Sequence, residues 1–201
     1  TYRAASDIEN RINQLKNNGT SSQESELKGF EDFAVECSII KVGASEDVQN
    51  CADEGIQILG GMGFSADTPM ESAWRDARIG RIYEGTNEIN RMLSVGMLLK
   101  KGMKGQIDLM AAVMQAVAEL GANESPKNAS GTILTEEQNL IHNFKQLFLM
   151  LTGNAVQKYG TELEDHQQVL LSLSDILIEI YFSESALLRT LKNCEREGTE
   201  A

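Results

Sequence analysis

The sequence predicts an all-α fold, a helical bundle in which the helices pack in two layers. Only 2 of the 201 residues are proline, and most side chains are unbranched ones that favour helix. Apolar residues recur at spacings of three and four along most of the chain, which is the period of a helix buried on one face. No stretch alternates apolar and polar residues as a strand would.

Capping residues and glycines set the helix limits that we predict. Four predicted helix starts have the spacing of a capping box, in which side chains bond the free amides of a helix start: they begin at Ser21, Thr68, Thr135 and Thr161. The predicted helices, in order, are residues 2–15, 21–58, 69–80, 87–100, 105–120, 135–159 and 161–193. Residues 122–133 are predicted to be a polar loop.

The long predicted helix 21–58 carries an apolar seam that we interpret as core. Its members lie three or four residues apart: Leu27, Phe30, Phe33, Ala34, Cys37, Ile40, Lys41, Ala44, Val48, Ala52, Gly55 and Ile56. This spacing is typical of the buried face of an amphipathic helix.

The charge balance narrows the range of partners. The chain has 18 Lys and Arg against 30 Asp and Glu, so its formal net charge is −12. That surplus of acid argues against nucleic acid and anionic membrane surfaces as main partners. No apolar run approaches the roughly 20 residues that cross a bilayer. Because the chain begins without Met, inside a predicted helix, we expect it to be a fragment of a longer one.

The cysteines indicate neither a metal site nor a disulfide scaffold. Cys37, Cys51 and Cys194 are odd in number and have no C-x-x-C spacing. The two histidines, His142 and His166, are far in sequence from the first two cysteines. We therefore predict no bound metal, and reduced thiols of the kind found in intracellular proteins.

Residues 57–91 differ from the helices around them. The Gly-Gly-Met-Gly stretch at 60–63 allows a sharp bend or the close approach of another surface. Glu84 follows in a short linker, between Tyr83 and Gly85. If the linker faces a cleft, Glu84 is a candidate general base; otherwise it is an exposed loop glutamate.

Two further features of this segment each admit two interpretations. Thr86 and the free amides of the helix behind it either bind an anion or an electron-rich ligand edge, or form an ordinary N-cap. Gly60 and Gly61 either admit the backbone of a phosphate or cofactor, or form a plain turn.

Three elements in this order resemble the C-terminal helical domain of the acyl-CoA dehydrogenases: QILGGMGF at 57–64, WRDARIGR at 74–81 and IYEGTNEINRML at 82–93. The resemblance is close over residues 57–92 and extends back to the start of the chain. It implies two domains: residues 1–104, the C-terminal helical domain that contacts FAD, and residues 105–201, a C-terminal helical extension.

The resemblance implies a flavoprotein that removes hydrogen from the α and β carbons of a fatty acyl-CoA, as in fatty acid β-oxidation. In that family a glutamate takes the α proton, the β hydride goes to FAD, and the electrons pass to an electron-transfer flavoprotein. The positions that match are Glu84 as catalytic base, Thr86 and Glu88 as FAD contacts, and Gln57, Gly60 and Gly61 as contacts to FAD of a neighbouring subunit. A homo-oligomer, dimer or tetramer, follows from that shared site.

Glu88 and Arg75 each fit the motif in a way that allows a second interpretation. Many members have glutamine where Glu88 stands, although an acid also occurs there. Arg75 is a familiar feature of the motif, but a structural salt bridge with an acid explains it equally well. The resemblance also implies a cytoplasmic location, or a mitochondrial one in a eukaryote, and an inactive isolated fragment, because the rest of the active site comes from other domains.

Alternative functions remain open at this point. An acyl-CoA oxidase would share the same motifs, and a non-catalytic helical assembly module could retain the fold. In the extension, Lys100, Lys101 and Lys104 precede an apolar stretch at 109–114 that either packs on protein or lies on a membrane surface. We favour packing on protein, since the chain is acidic overall.

Overall fold

The computed structural model describes residues 1–121 and 133–197, and within them it contains only helices and the turns that join them. The α-helices are α1 (Tyr2–Asn17), α2 (Ser22–Asp32), α3 (Ala34–Leu59), α4 (Gly61–Phe64), α5 (Met70–Ile79), α6 (Asn87–Met103), α7 (Leu109–Gly121), α8 (Thr135–Tyr159) and α9 (Gln167–Glu197). A 3-10 helix, Gly160–Asp165, precedes α9. The predicted all-α class is confirmed. The loop predicted at 122–133 lies outside the described residues, apart from Ile133.

The chain divides into two compact units, residues 1–94 and residues 95–201. The first unit holds α1 to α5 and the start of α6, and the second holds the end of α6 and the helices after it. Small and medium apolar side chains form the core of the first unit: Ala4, Ile8, Leu15, Val35, Ile39, Val42 and Ala77.

Helices α1 and α2 form a close-packed antiparallel pair at the start of the first unit. Gly29 is buried on α2, and a Cβ atom added there would lie 2.4 Å from Cγ1 of Ile12. The Arg11 guanidinium donates a 2.7 Å hydrogen bond to the Asp32 carboxylate, which ties the far end of α2 to α1. A glycine is therefore required where the two helices touch.

The predicted single helix over residues 21–58 is wrong at one point, because it is broken at Phe33. The Phe33 amide bonds the Phe30 carbonyl at 3.2 Å, and its φ and ψ are −109° and 20°. The contacts of Gly29 and Asp32 with α1 fix α2 up to this point. Packing therefore ends the helix, and the apolar spacing, which continues across the break, could not reveal it.

The predicted core seam of this segment is also wrong, since none of its twelve residues is buried. Leu27, Phe30 and Val48 are 63%, 57% and 56% exposed. The buried residues of α2 and α3 are instead mostly small or polar: Ser25, Gly29, Val35, Ser38, Ile39, Val42 and Gln49. Close helix contact selects for small side chains, whereas the seam was chosen for hydrophobicity.

The second unit is built on α8, which packs against both α7 and α9. A Cβ atom at Gly153 of α8 would lie 2.6 Å from Val113 of α7, so these helices are also in close contact. Lys145 of α8 pairs with Glu184 of α9. The predicted start of the last helix at residue 161 is wrong, because the 3-10 helix occupies that segment and α9 begins at Gln167.

Among the described helices, none combines the length and the apolar character that crossing a bilayer requires.

Candidate active site

Glu84 lies in the short connection between α5 and α6, on a turn with unusual backbone geometry. Its φ is +54°, and that of Gly85 is +82°. A side-chain-bearing residue in the left-handed region costs on the order of 1 kcal/mol, so surrounding contacts must hold it there. The side chain is exposed, and within the part of the chain that the structure describes no hydrogen bond or ion pair engages its carboxylate. The turn therefore presents a free carboxylate.

Three hydrogen bonds hold this turn in place. The Lys41 ammonium of α3 donates to the Gly85 carbonyl at 2.7 Å, and the Asn90 amide donates to the same oxygen at 2.9 Å. The Asn87 backbone amide donates to the Arg81 carbonyl at 3.1 Å, which closes the connection on itself. The carbonyl that follows Glu84 is thus fixed by two donors from different helices.

Asn87 is the centre of a buried polar cluster beneath the turn. Its side chain is fully buried, and its Oδ1 accepts a 2.7 Å hydrogen bond from the Lys41 ammonium. Its Nδ2 donates to Ser45 Oγ and to Glu46 Oε1, both at 3.0 Å. Arg91 completes the cluster with two hydrogen bonds to the Glu46 carboxylate, at 2.8 and 2.9 Å. We call Lys41, Ser45, Glu46, Asn87, Asn90 and Arg91 the turn anchor.

The ion pair within the turn anchor makes this part of the fold sensitive to acid. Hydrogen bonds from Arg91, with a smaller contribution from Asn87, hold the pKa of the Glu46 carboxyl below its ordinary value, although partial burial opposes this. A carboxyl whose pKa is lowered on folding stabilises the fold fully above its unfolded pKa. That stabilisation is lost as the pH falls through its folded pKa.

We therefore expect Glu46→Gln to lower the melting temperature of the full-length protein at pH about 7. We expect the difference from wild type to shrink as the pH falls from about 5 towards 3. Thermal unfolding followed by circular dichroism across this range measures it. Glu31→Gln, at an exposed position of α2, serves as the control and should match wild type. A Glu46→Gln difference that stays constant over the range would contradict the prediction.

Thr86 and Glu88 lie at the start of α6, directly after the turn. Thr86 Oγ1 accepts a 3.3 Å hydrogen bond from the Ile89 amide, so the residue acts as an N-cap. The pKa of the Glu88 carboxyl is lowered, first by its own backbone amide and then by the Thr86 hydroxyl, with Arg91 and Arg81 adding positive charge nearby. A polar, partly positive helix start thus faces outward next to Glu84.

Gln57, Gly60 and Gly61 lie where α3 ends and α4 begins. Gly60 has a φ of +59° and ends α3, and its amide bonds the Gln57 carbonyl at 3.3 Å. All three residues are exposed, and a Cβ atom added to either glycine would meet nothing within 4 Å. The backbone here forms an open surface that a ligand can approach closely.

The neighbouring residues of the motif have structural contacts instead. A Cβ atom at Gly63 would lie 2.8 Å from the Ile56 carbonyl, so this glycine is needed for packing. Trp74 donates its indole N–H to Asp53 at 3.0 Å, which joins α5 to α3. Arg75 lies 3.4 Å from Glu71 on the same helix, in agreement with the interpretation of Arg75 as part of a salt bridge.

The structure gathers the predicted site residues into two groups. Glu84, Thr86 and Glu88 share the α5–α6 connection, whereas Gln57, Gly60 and Gly61 share the α3–α4 junction. Among the described residues, no hydrogen bond or ion pair connects the two groups. No cluster of three or more metal-ligating side chains occurs within those residues either.

The turn anchor is the feature that sequence reasoning missed. One signal was present, since Lys41 was included in an otherwise apolar seam, where a lysine is out of place. Lys41 and its partner Asn87 are 46 positions apart, and Glu46 and its partner Arg91 are 45 apart, so spacing alone could not pair them. Taken together, the fold and the site define an all-α chain that presents a carboxylate on a rigid turn beside a helix start.

Family models and known proteins match this sequence and indicate its family. Two family models, each described as the C-terminal domain of acyl-CoA dehydrogenase, match residues 4–98 and 143–201. A probable acyl-CoA dehydrogenase of Bacillus subtilis is 36% identical over 199 residues, which is 99% of this chain and 33% of that protein. The very long-chain specific acyl-CoA dehydrogenase of rat mitochondria is 49% identical over 65 residues, 32% of this chain and 10% of that protein.

A solved structure agrees with these sequence matches. The acyl-CoA dehydrogenase of Bacillus anthracis, crystallised in complex with FAD, superposes with a TM-score of 0.90 at 37% identity. The match covers 99% of this chain and 33% of that one. The chain belongs to the acyl-CoA dehydrogenase family, and it spans about a third of the length of the relatives that it matches along its whole length. The match at 143–201 covers much of the predicted extension.

Proposed function

We propose that this chain is the C-terminal part of an FAD-dependent acyl-CoA dehydrogenase, which forms a double bond between Cα and Cβ of a fatty acyl-CoA thioester. The observation that carries the proposal is the Glu84 turn, whose carboxylate is free while its backbone is fixed by the turn anchor. A base of this kind suits the removal of a weakly acidic proton, which requires exact placement more than strength.

Glu84 is the catalytic base in this proposal. The thioester carbonyl makes the Cα proton acidic, and a Glu84 carboxylate oxygen accepts it as negative charge moves onto the thioester oxygen. Hydrogen-bond donors to that oxygen lower the energy of the enolate. The positive φ at Glu84 and the bonded carbonyl at Gly85 limit how far the carboxylate can swing away from the substrate.

The residues of the two predicted groups fit a bound FAD. Gly60 and Gly61 offer a backbone surface with no side chain in the way, which suits an extended phosphate-bearing cofactor, and Gln57 adds an exposed amide beside them. Thr86 and Glu88 present polar groups at the start of α6. When bound, FAD supplies the acceptor for the hydride that leaves Cβ.

Several large apolar side chains of the first unit are exposed. Phe30 on α2, and Ile58 and Phe64 near the glycine surface, are 57%, 82% and 77% exposed. We propose that other segments of the enzyme and a second subunit cover them in a homo-oligomer, a dimer or tetramer. An electron-transfer flavoprotein then takes the electrons, and the enzyme works in the cytoplasm, or in the mitochondrion of a eukaryote.

We further propose that residues 1–104 are the FAD-contacting domain and that residues 105–201 are an extension that packs on protein. Met110, Met114 and Val117 of α7 are 62%, 68% and 53% exposed, which leaves an apolar face to be covered. An acidic chain is repelled by anionic lipid, which favours protein over a membrane as the cover.

Anaerobic titration of the full-length protein with saturated acyl-CoAs of graded chain length tests the proposed function. We expect the visible absorbance of bound FAD to bleach, with one range of chain lengths most effective. Bound FAD that fails to bleach with any acyl-CoA would contradict the dehydrogenase proposal and favour an assembly module. Reoxidation by oxygen as fast as by an electron-transfer flavoprotein would instead point to an acyl-CoA oxidase.

A further inference from the structure

The Lys41 side chain has an unusual set of partners. Its ammonium donates to two uncharged oxygens, the Gly85 carbonyl and Asn87 Oδ1, each at 2.7 Å. Within residues 1–121 and 133–197, no carboxylate lies close enough to form an ion pair with it. A lysine that served only to join helices would be expected to pair with an acid, and Lys41 instead directs its charge at the turn.

The two acceptors belong to Gly85 and Asn87, the residues before and after Thr86. One ammonium group therefore bonds the chain on both sides of Thr86. Asn90 is the second donor to the Gly85 carbonyl, but it belongs to α6 and moves with the turn that it contacts. Lys41 belongs to α3, and it is therefore the donor that joins the Gly85 carbonyl to a helix other than α6.

We propose that Lys41 is a positioning residue for Glu84: its ammonium fixes the Gly85 carbonyl and thereby the left-handed turn that orients the Glu84 carboxylate. The inference rests on the proposed role of Glu84 as the base. Lys41 touches neither substrate nor proton in this scheme. Loss of its hydrogen bonds leaves the carboxylate present but lets the turn relax, since a glutamate at positive φ is held there only by its surroundings.

The test compares Lys41→Met with Lys41→Arg in the full-length enzyme. The measurement is the rate constant of anaerobic flavin bleaching per bound FAD, with the acyl-CoA that wild type uses best. Methionine has a similar length but no donor, and we expect the rate constant to fall about 10- to 100-fold, because small displacements of a catalytic group have effects of this size. The acyl-CoA concentration for half-maximal rate should change less than about twofold. Arginine keeps a charged donor and should recover at least part of the loss.

Two other variants separate positioning from stability and from the proposed function. Gly29→Ala strains the contact with Ile12, far from the turn in the packing of α1 on α2, and should lower the melting temperature without changing the rate constant. Glu84→Gln should lower the rate constant of bleaching by about 10²-fold or more. Should Glu84→Gln match wild type, both the base assignment and this inference are overturned. Should Lys41→Met match wild type while Glu84→Gln shows its expected loss, only the positioning role is overturned.

A Lys41→Met protein that fails to bind FAD does not leave the question open, because Asn90→Ala removes the other donor to the same carbonyl. We expect that variant to lower the rate constant by a smaller factor, about 3- to 10-fold, since the neutral donor is the weaker one. If Asn90→Ala keeps the wild-type rate constant, Lys41→Gln decides, since its neutral amide is a weaker donor to the same carbonyl; a wild-type rate constant in Lys41→Gln would overturn the inference.

Discussion

Replacing Glu84 with glutamine is expected to lower the rate of α-proton removal by about 10²- to 10⁴-fold, the contribution typical of a general base. Glutamine has the same length and shape, but its amide cannot accept the proton. Because no described hydrogen bond depends on the Glu84 carboxylate, the turn and the FAD contacts should be preserved. Stopped-flow bleaching of the bound flavin measures the rate, and the visible absorbance before mixing gives the FAD content.

Glu54→Gln, on an exposed position of α3, is the matched control and should bleach at the wild-type rate. An equal loss in both variants would indicate general damage instead of a lost base. Wild-type bleaching in Glu84→Gln would mean that another carboxylate removes the proton, and the role of the α5–α6 turn would then be structural.

Asn87→Leu is the substitution with the largest expected effect on stability. Asn87 is fully buried and bonds three side chains of α3, namely Lys41, Ser45 and Glu46. Leucine has a similar volume but removes the hydrogen bonds to all three groups, each worth about 0.5–1.5 kcal/mol, or about 1.5–3 kcal/mol where the partner is charged. We therefore expect the free energy of unfolding to fall by about 3 kcal/mol or more. Thermal and denaturant unfolding of the full-length protein measure the loss.

The same replacement at Asn50, an exposed residue of α3, provides the comparison. Asn50→Leu should change the free energy of unfolding by less than about 0.5 kcal/mol, as is usual for surface positions. If both variants unfolded at the same temperature, the cluster beneath the turn would contribute nothing to stability and the premise of the prediction would be wrong.

Much of the helical architecture could be predicted because helix starts and stops are local. Gly160 and the break around residues 60–63 fall where glycine allows a positive φ, and Ser21 accepts a hydrogen bond from the Glu24 amide as a cap should. The predicted caps Thr68 and Thr135 are wrong, because the N-cap residues of α5 and α8 are Pro69 and Leu134. The end of α2 at Phe33 could not be predicted in this way, because contacts with α1 cause it. The prediction of which residues of α2 and α3 are buried was wrong for a related reason. Where the helices are in close contact, the buried residues include the small Ser25, Gly29 and Ser38 instead of larger apolar side chains.

The candidate site shows the same division between local and distant causes. Glu84, Thr86 and Glu88 were identified from one contiguous motif, and they do share one connection. Their roles remain predictions. The motif is held by hydrogen bonds that join Lys41 and Glu46 of α3 to residues of the α5–α6 region. These pairings exist only in the folded chain, and the one sign of them in the sequence is a lysine within an apolar seam.

The turn anchor also has a consequence for the order in which the chain folds. Lys41 and Gly85 are 44 residues apart, so closing the segment between them costs about 3 kcal/mol of chain entropy. Helices α3 and α5 form from local contacts and need not wait for this closure. The left-handed turn at Glu84 has local hydrogen bonds from Asn87 and Asn90, but its third donor, Lys41, lies across that loop. We therefore expect the helices of this segment to form before the complete turn anchor, which needs the two ends of the segment to meet.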